Sequence, residues 1–357
     1  MVGKIYLNNL FNTIFNSNQS FYDKCPTGNS YRKTYWEDFN ERELNLFVDD
    51  IFNHYREYGF PYFPTDMQFR HKEYDKLKSF DINRIFDYNT KTIKQTMHGL
   101  SLAWSYMPHS WDVQCNNMMT PLQAFNDDEI FRKVIKKRLR FGDNVSDNGI
   151  RKMLKIYSGV QSVSNFRPTA AAAIYQHFCN PDDVVWDMSS GFGGRLLGAS
   201  ISNIKYIGTD PSTPTYNGLV EMVKDFNINA TIHRIGSEDF HLEPNTIDFC
   251  FTSPPYFDTE KYSYDSNQSF QKYKTKNDWI EYFLKPTIKN CHTSLKCDKF
   301  LALNIANVKS FPDLEDYAVD VINHQGFRLV DTWKLTLSKI RVGGHKYEPI
   351  FIFIKEK

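Results

Sequence analysis

Short apolar runs, each closed by polar or turn-forming residues, recur through the second half of the chain and read as buried strands. Val184 to Asp187 is followed by the glycine-rich Ser189 to Gly194 and by an apolar helical run, Leu196 to Ile201. Tyr206 to Thr209 ends in Asp210, Thr231 to Ile235 leads into Ser237-Glu238-Asp239, and Ile247 to Phe251 leads into Thr252-Ser253-Pro254-Pro255-Tyr256. A helix is expected from about Asn277 to Asn290, and Leu301 to Ile305 reads as a fifth strand. Phe327 to Leu337 and Ile350 to Ile354 read as two long strands joined across Gly343-Gly344, with His345 and Glu348 in a surface loop near that turn. Strands that alternate with helical patterns predict an α/β doubly wound, mostly parallel sheet.

The first half has a different period. Leu44, Phe47, Val48, Ile51, Phe52 and Tyr55 recur at helical spacing behind Asn40, with Glu43 placed as in a capping box, and Gly59 and Pro61 end the run. A second helical stretch is expected from about Glu73 to Phe86. Asp127-Asp128-Glu129 then opens a helix with acidic residues at the positive end of its dipole. Its apolar members are Ile130, Phe131, Val134 and Ile135, its cations are Arg132, Lys133, Lys136, Lys137, Arg138 and Arg140, and Gly142 ends it. Residues 1–35 mix aromatics with Asn, Ser and Thr and predict no element. A mainly helical N-terminal domain, residues 1–157, is therefore expected before a sheet domain, residues 158–357.

Composition acts mainly by exclusion. A chain of 357 residues, 41% hydrophobic and 24% charged, can hold two globular cores. Six cysteines without C-x-x-C spacing argue for reduced thiols, not for a zinc site or a disulfide framework. No apolar run approaches the ~18 residues that cross a bilayer, and the first residues are too polar for a signal-peptide core. A cytoplasmic protein without a membrane partner is expected. The formal net charge of +1 hides a local cluster, the cations from Arg132 to Arg140.

Candidate chemistry gathers at the strand ends. Glycines at a strand-to-helix turn let a ligand approach the backbone and leave helix N–H groups pointing outward. Asp210 ends the next strand, close to the ~20-residue spacing at which doubly wound folds put a carboxylate on ribose hydroxyls. Pro254 and Pro255 carry no N–H and cannot extend a ladder. Their turn presents carbonyls and the Ser253 hydroxyl as acceptors, with the face of Tyr256 beside them. That combination suits a planar group bearing an exocyclic NH2.

The glycine turn followed by Ser253-Pro254-Pro255-Tyr256 resembles the S-adenosylmethionine-dependent amino-methyltransferases that act on DNA bases, over roughly Asn165 to the C-terminus. The resemblance implies a seven-stranded Rossmann-like sheet closed by a C-terminal antiparallel hairpin, with S-adenosyl-L-methionine as cofactor and no metal. It implies that Phe166, Arg167, Pro168 and Thr169, with Ser189, Gly191, Phe192, Gly193 and Gly194, hold the methionine part, and that Asp187 orients its amino group. Asp210, beside Pro211, would take the ribose hydroxyls, and Glu238 or Asp239 would lie near the adenine amine. The catalytic set would be Ser253, Pro254, Pro255 and Tyr256. Ser253, also at the cofactor, and the Pro254 carbonyl accept the amine hydrogens, and Tyr256 stacks on a base swung out of the duplex. Serine at 253 leans toward cytosine N4 over adenine N6. Leu295 to Phe300 stands where family members often have a Leu-Lys-Pro-Gly-Gly turn, without its glycines. The implied partner is DNA, its phosphates held by Arg132, Lys133, Lys136, Lys137, Arg138 and Arg140 and its target base bordered by Tyr262. A restriction endonuclease often accompanies such enzymes. RNA methylation by the same chemistry, and a nucleic-acid binder that keeps the fold without catalysis, are the alternatives. No RRM or KH motif appears.

Overall fold

The computed structural model describes residues 40–140, 145–263, 265–339 and 345–356. The Gly142 stop, the Gly343-Gly344 turn, residues 1–35 and the side chain of Glu43 lie outside the described residues. The chain divides into two compact units, Met1–Tyr62 with Gln114–Ser162, and Phe63–Val113 with Val163–Lys357. Residues 63–113, which the sequence reading grouped with the helices, belong to the unit that holds the sheet.

That unit is built on a nine-stranded sheet. Its strands are β1 (Phe86–Asp87), β2 (Thr92–Ile93), β3 (Val184–Asp187), β4 (Lys205–Thr209), β5 (Ala230–His233), β6 (Ile247–Thr252), β7 (Leu295–Asn304), β8 (Phe327–Lys339) and β9 (His345–Lys355). They lie in the order β1-β2-β8-β9-β7-β6-β3-β4-β5. Strands β3 to β7 are parallel, and β9 runs antiparallel between β7 and β8. The expected seven strands run from β8 to β5. The addition is the ribbon β1–β2, docked parallel on β8 through Thr92 and Ile93. Two-residue strands carry no period to read.

The runs read as strands bury as their pattern requires. All of β6 is buried, and its one acidic residue, Asp248, accepts hydrogen bonds from Lys296 Nζ at 2.6 Å and the Val184 N–H at 3.1 Å. Helices α1 (Met67–Lys78), α2 (Leu100–Ser105), α3 (Pro168–Phe178), α4 (Gly194–Ser200), α5 (Thr213–Phe226), α6 (Lys285–Ser294) and α7 (Leu314–His324) belong to the same unit. Gly198 lets α4 close on α3: a Cβ there would stand 2.5 Å from that of Ala171.

Several boundaries differ, each for a local reason. Helix α1 starts well before Glu73, because the Asp66 side chain caps it by accepting from the Phe69 N–H at 2.8 Å. The helix expected from Asn277 widens into a π-turn over Ile280–Leu284 before α6, since Pro286 has no N–H to continue the ladder. Leu295 to Phe300 is strand, not turn. Asp298, at φ 61°, sits where the β6–β7 register shifts, so the turn chemistry survives as an irregularity within β7. Strand β9 begins at His345, which puts Glu348 in the sheet and not in a loop.

In the helical unit Glu41–Tyr58, Pro121–Asn126, Asp128–Arg140 and Asp147–Ile156 enclose a core that includes Phe47, Ile51, Tyr55, Phe125, Phe131 and Ile150. Every apolar residue that marked the Leu44 to Tyr55 period is buried. Gly59, at φ 85°, returns its N–H to the Tyr55 carbonyl and closes that helix.

Candidate active site

A cavity of about 360 Å³ in the sheet unit is bordered by residues that follow the carboxyl ends of β3, β4, β5, β6 and β7. The order of the strands gives it two flanks. The Ser253 to Tyr256 turn ends the central β6. The glycine turn, Asp210 and Glu238 follow β3, β4 and β5 on one side, and Asn304, Glu348 and Leu335 come from β7, β9 and β8 on the other.

Charge burial fixes the glycine turn. Asp187 is 0% exposed and accepts from Arg195 Nε at 2.7 Å, Tyr206 Oη at 2.6 Å and the Ser189 N–H at 3.2 Å. Its carboxylate is thus spent on holding the turn, and Asp187 does not border the cavity. Asp210 does. Its two oxygens accept the Gly191 and Ser212 N–H groups, each at 2.9 Å. Burial pushes its carboxyl up to about 6, against the pull of those two hydrogen bonds. The Gly191 amide therefore faces a carboxylate and is not free to cradle a phosphate. Asn165 Nδ2 donates to the Phe192 carbonyl at 3.0 Å, and any side chain at Gly194 would collide with the Phe166 carbonyl. Segment 165–169 and the glycine turn are one interlocked piece.

Glu238 is buried. Its Oε1 accepts from Lys272 Nζ at 2.6 Å and from Tyr273 Oη at 3.1 Å, while Oε2 has no hydrogen-bond partner. An unpartnered buried carboxylate oxygen calls for a donor. Two carboxylates in this order, with Met188 and Phe192 supplying apolar surface, fit a ligand with a diol, an aromatic amine and little negative charge. S-adenosylmethionine meets that description; a nucleotide polyphosphate does not.

Behind the Ser253 to Tyr256 turn the backbone is held in an uncommon state. Phe257 is buried at φ 57°, a left-handed conformation rare for an aromatic residue, and its N–H reaches the Pro255 carbonyl at 2.9 Å. Tyr256 Oη donates to the Asn304 carbonyl at 3.4 Å, and Asn304 Nδ2 donates to the Pro349 carbonyl at 3.0 Å. Burial, then the negative charge of Glu348, keep the Tyr256 phenol protonated.

Of the residues singled out as cofactor ligands, Phe166, Arg167, Ser189, Gly191, Phe192, Asp210, Pro211, Glu238 and Ser253 border this cavity, as do Pro254, Pro255, Tyr256 and Tyr262. Pro168, Thr169, Asp187, Gly193, Gly194 and Asp239 do not. Pro168 starts α3, Thr169 Oγ1 meets Thr96 Oγ1 at 2.9 Å, and Asp239 accepts from Lys272 Nζ at 2.8 Å. Sequence reading missed Gln95, which accepts from Arg167 Nε at 3.1 Å, and also Gln268, Asn304 and Glu348. Only Glu348 carried a signal: it is an acidic residue in phase with Ile350, Ile352 and Ile354 on a strand.

Four of the six cations singled out as phosphate ligands pair with carboxylates within the helical unit. Lys136 and Arg140 both pair with Glu41, Arg132 pairs with Asp49 and lies 3.8 Å from the Phe52 ring centroid, and Lys133 pairs with Glu129 at 3.5 Å. Lys137 lies over Tyr157, and Arg138 is buried with its guanidinium against Gly149. Among the described residues no group of three or more His, Cys, Asp or Glu is arranged to hold a metal ion. No described helix is long and apolar enough to cross a membrane.

No protein-family model matches the chain, and no curated protein matches it. Similar solved structures include an S-adenosylmethionine-dependent methyltransferase from Methanosarcina mazei, 13% identical, covering 51% of this chain and 97% of its own, at a TM-score of 0.37. Another is 1,6-didemethyltoxoflavin-N1-methyltransferase from Burkholderia thailandensis with bound 1,6-didemethyltoxoflavin and S-adenosylhomocysteine, 12% identical, covering 52% and 77%, at 0.37. The cyclase SpnF, 9% identical, covers 53% and 81% at 0.39. Likeness of this size carries no chemistry over, and the function rests on the residues of the site.

Proposed function

We propose that the sheet unit binds S-adenosyl-L-methionine and methylates the exocyclic amine of a cytosine, at N4, or an adenine, at N6, in DNA. One observation carries the reading. The donor-free Ser253-Pro254-Pro255-Tyr256 turn ends the central strand and borders the same cavity as Asp210 and Glu238 on one flank and Asn304 on the other. Cofactor and amine would meet at that turn. When bound, the cofactor supplies an electrophilic methyl on a sulfonium, whose C–S bond breaks with its electrons left on sulfur. Asp210 would accept from the ribose hydroxyls and Glu238 Oε2 from the adenine amine.

A base amine is a poor nucleophile because its lone pair is delocalised into the ring. Ser253 Oγ and the Pro254 carbonyl would accept its two hydrogens and favour a tetrahedral nitrogen, with the lone pair aimed at the methyl carbon. Fixed acceptors of this kind lie where positive charge develops, the oxyanion-hole logic with its sign reversed. The Tyr256 ring would stack on a flipped base. A cytoplasmic location and a companion restriction endonuclease go with this reading.

A second reading, methylation of a smaller free base, is favoured by the pairing of Arg132, Lys136 and Arg140 with carboxylates of their own unit. Incubating the full chain with methyl-labelled S-adenosylmethionine and unmodified DNA, RNA or free nucleobases separates the two. Label in DNA supports the first reading, label only in free bases supports the second, and label only in RNA contradicts both.

A further inference from the structure

Glu348 has no part in the transfer as described, yet it borders the same cavity as Ser253 to Tyr256. Its register explains why. Ile350 pairs with Asn304, the last residue of β7, so Glu348 stands just beyond that strand end, where the active turn lies. On β8 its direct partner is Leu335, which also borders the cavity. Asn304 faces it from β7 and Tyr256 from the turn. The charge that acts on it is another carboxylate, Glu315 on α7, and no cation is among the groups acting on it. Burial, first, and Glu315 raise its carboxyl above the ordinary range, opposed by the Asn304 side chain.

The other carboxylates bordering the cavity are engaged. Asp210 accepts two backbone N–H groups, Glu238 accepts from Lys272 and Tyr273, and Glu260 accepts from the Tyr262 hydroxyl. The reaction leaves a proton to be placed. As nitrogen bonds to the methyl carbon it gains positive charge and has one N–H too many. Ser253 Oγ and the Pro254 carbonyl accept hydrogen bonds, but a protonated hydroxyl or amide is far too acidic to keep that proton.

Resting on the function proposed above, we propose that Glu348 is the proton acceptor for the methylated amine. As the N–C bond forms, the N–H bond breaks, its electron pair returns to nitrogen, and the proton ends on a Glu348 carboxylate oxygen. Half-buried, Glu348 then releases it to solvent. Base and product leave neutral, and the carboxylate is restored.

The test compares wild type, Glu348→Gln and Glu348→Asp as full chains, by single-turnover methyl transfer to unmodified DNA at saturating S-adenosylmethionine, from about pH 5.5 to 8.5. Saturation keeps Asp210 and cofactor affinity out of the measured rate. Wild type should slow as pH falls, because the acceptor must be ionised. Glu348→Gln should be slower by on the order of 10²-fold, the low end for general-base catalysis, and should lose the acid limb. Glu348→Asp should keep the limb. Calorimetry with S-adenosylhomocysteine should give all three the same affinity, since the cofactor end is untouched. A Glu348→Gln protein with the wild-type rate and pH profile overturns the assignment. Wild type that labels no DNA defeats the substrate reading itself, and this assignment falls with it.

Discussion

Lowering the pH from about 7 to about 5 should weaken binding of S-adenosylhomocysteine roughly tenfold, through Asp210 alone. Burial holds the Asp210 carboxyl at about 6 in the free protein, well above the ordinary aspartate value. Both oxygens already accept a backbone N–H, and each has a second lone pair for a ribose hydroxyl. Hydroxyl donors favour the ionised form, so binding lowers the carboxyl's pKa and must release a proton wherever Asp210 starts out protonated. Near pH 7 about nine-tenths of the protein is ionised at this site, and near pH 5 about one-tenth, which sets the roughly tenfold loss. Calorimetry in buffers of different ionisation heat should find about half a proton released per ligand near pH 6. Asp210→Asn should bind more weakly at neutral pH by about 1.5–3 kcal/mol, the value of hydrogen bonds to a charged acceptor, and its affinity should not vary over this range. Flat wild-type affinity in a folded protein, or the same slope in Asp210→Asn, would refute the placement of the ribose.

Removing the guanidinium in Arg195→Ala leaves Asp187 charged and buried in the sheet. The unit should lose about 3–5 kcal/mol, read as a fall in Tm of roughly 10 °C; a fall of only a degree or two would mean that Tyr206 and the Ser189 amide hold the carboxylate unaided. Lys136→Ala with Lys137→Ala should leave the log–log salt slope of DNA binding unchanged, because Lys136 is already matched by Glu41 and Lys137 lies on Tyr157. A slope flatter by about 2 would show that these lysines reach phosphates after all.

Where burial and period coincide, the elements were legible. β3 is an apolar run ended by a polar turn, β6 is one broken only by Asp248, and the Leu44 to Tyr55 helix shows its buried stripe directly. Chemistry was legible where a residue type is unusual for its position, as with consecutive prolines after a buried strand or an aspartate ending one. What stayed hidden depends on pairing across the chain. Nothing in the local pattern of residues 86–93 says that they join β8, and nothing at Asp187 says that Arg195 and Tyr206 would consume its oxygens. The cation run of Asp128–Arg140 shows the same limit: its charges are visible in sequence, but Glu41 and Asp49, which pair with three of them, lie in another helix. Glycines after β8 point to a loop at Glu348, although it is in phase with Ile350, Ile352 and Ile354 on β9.

The central claim is that one cavity brings a methyl donor and a base amine together at Ser253. Its most direct test is mass spectrometry of hydrolysed DNA after incubation with S-adenosylmethionine, run on wild type and Ser253→Ala with their S-adenosylhomocysteine affinities measured in parallel. Wild type should yield N4-methylcytosine or N6-methyladenine. Ser253→Ala should lose on the order of 10²-fold in product, by analogy with removal of one oxyanion-hole donor, while binding the cofactor product with nearly unchanged affinity. Modified base at the wild-type level from Ser253→Ala, or none from a wild type that binds S-adenosylhomocysteine, would contradict it.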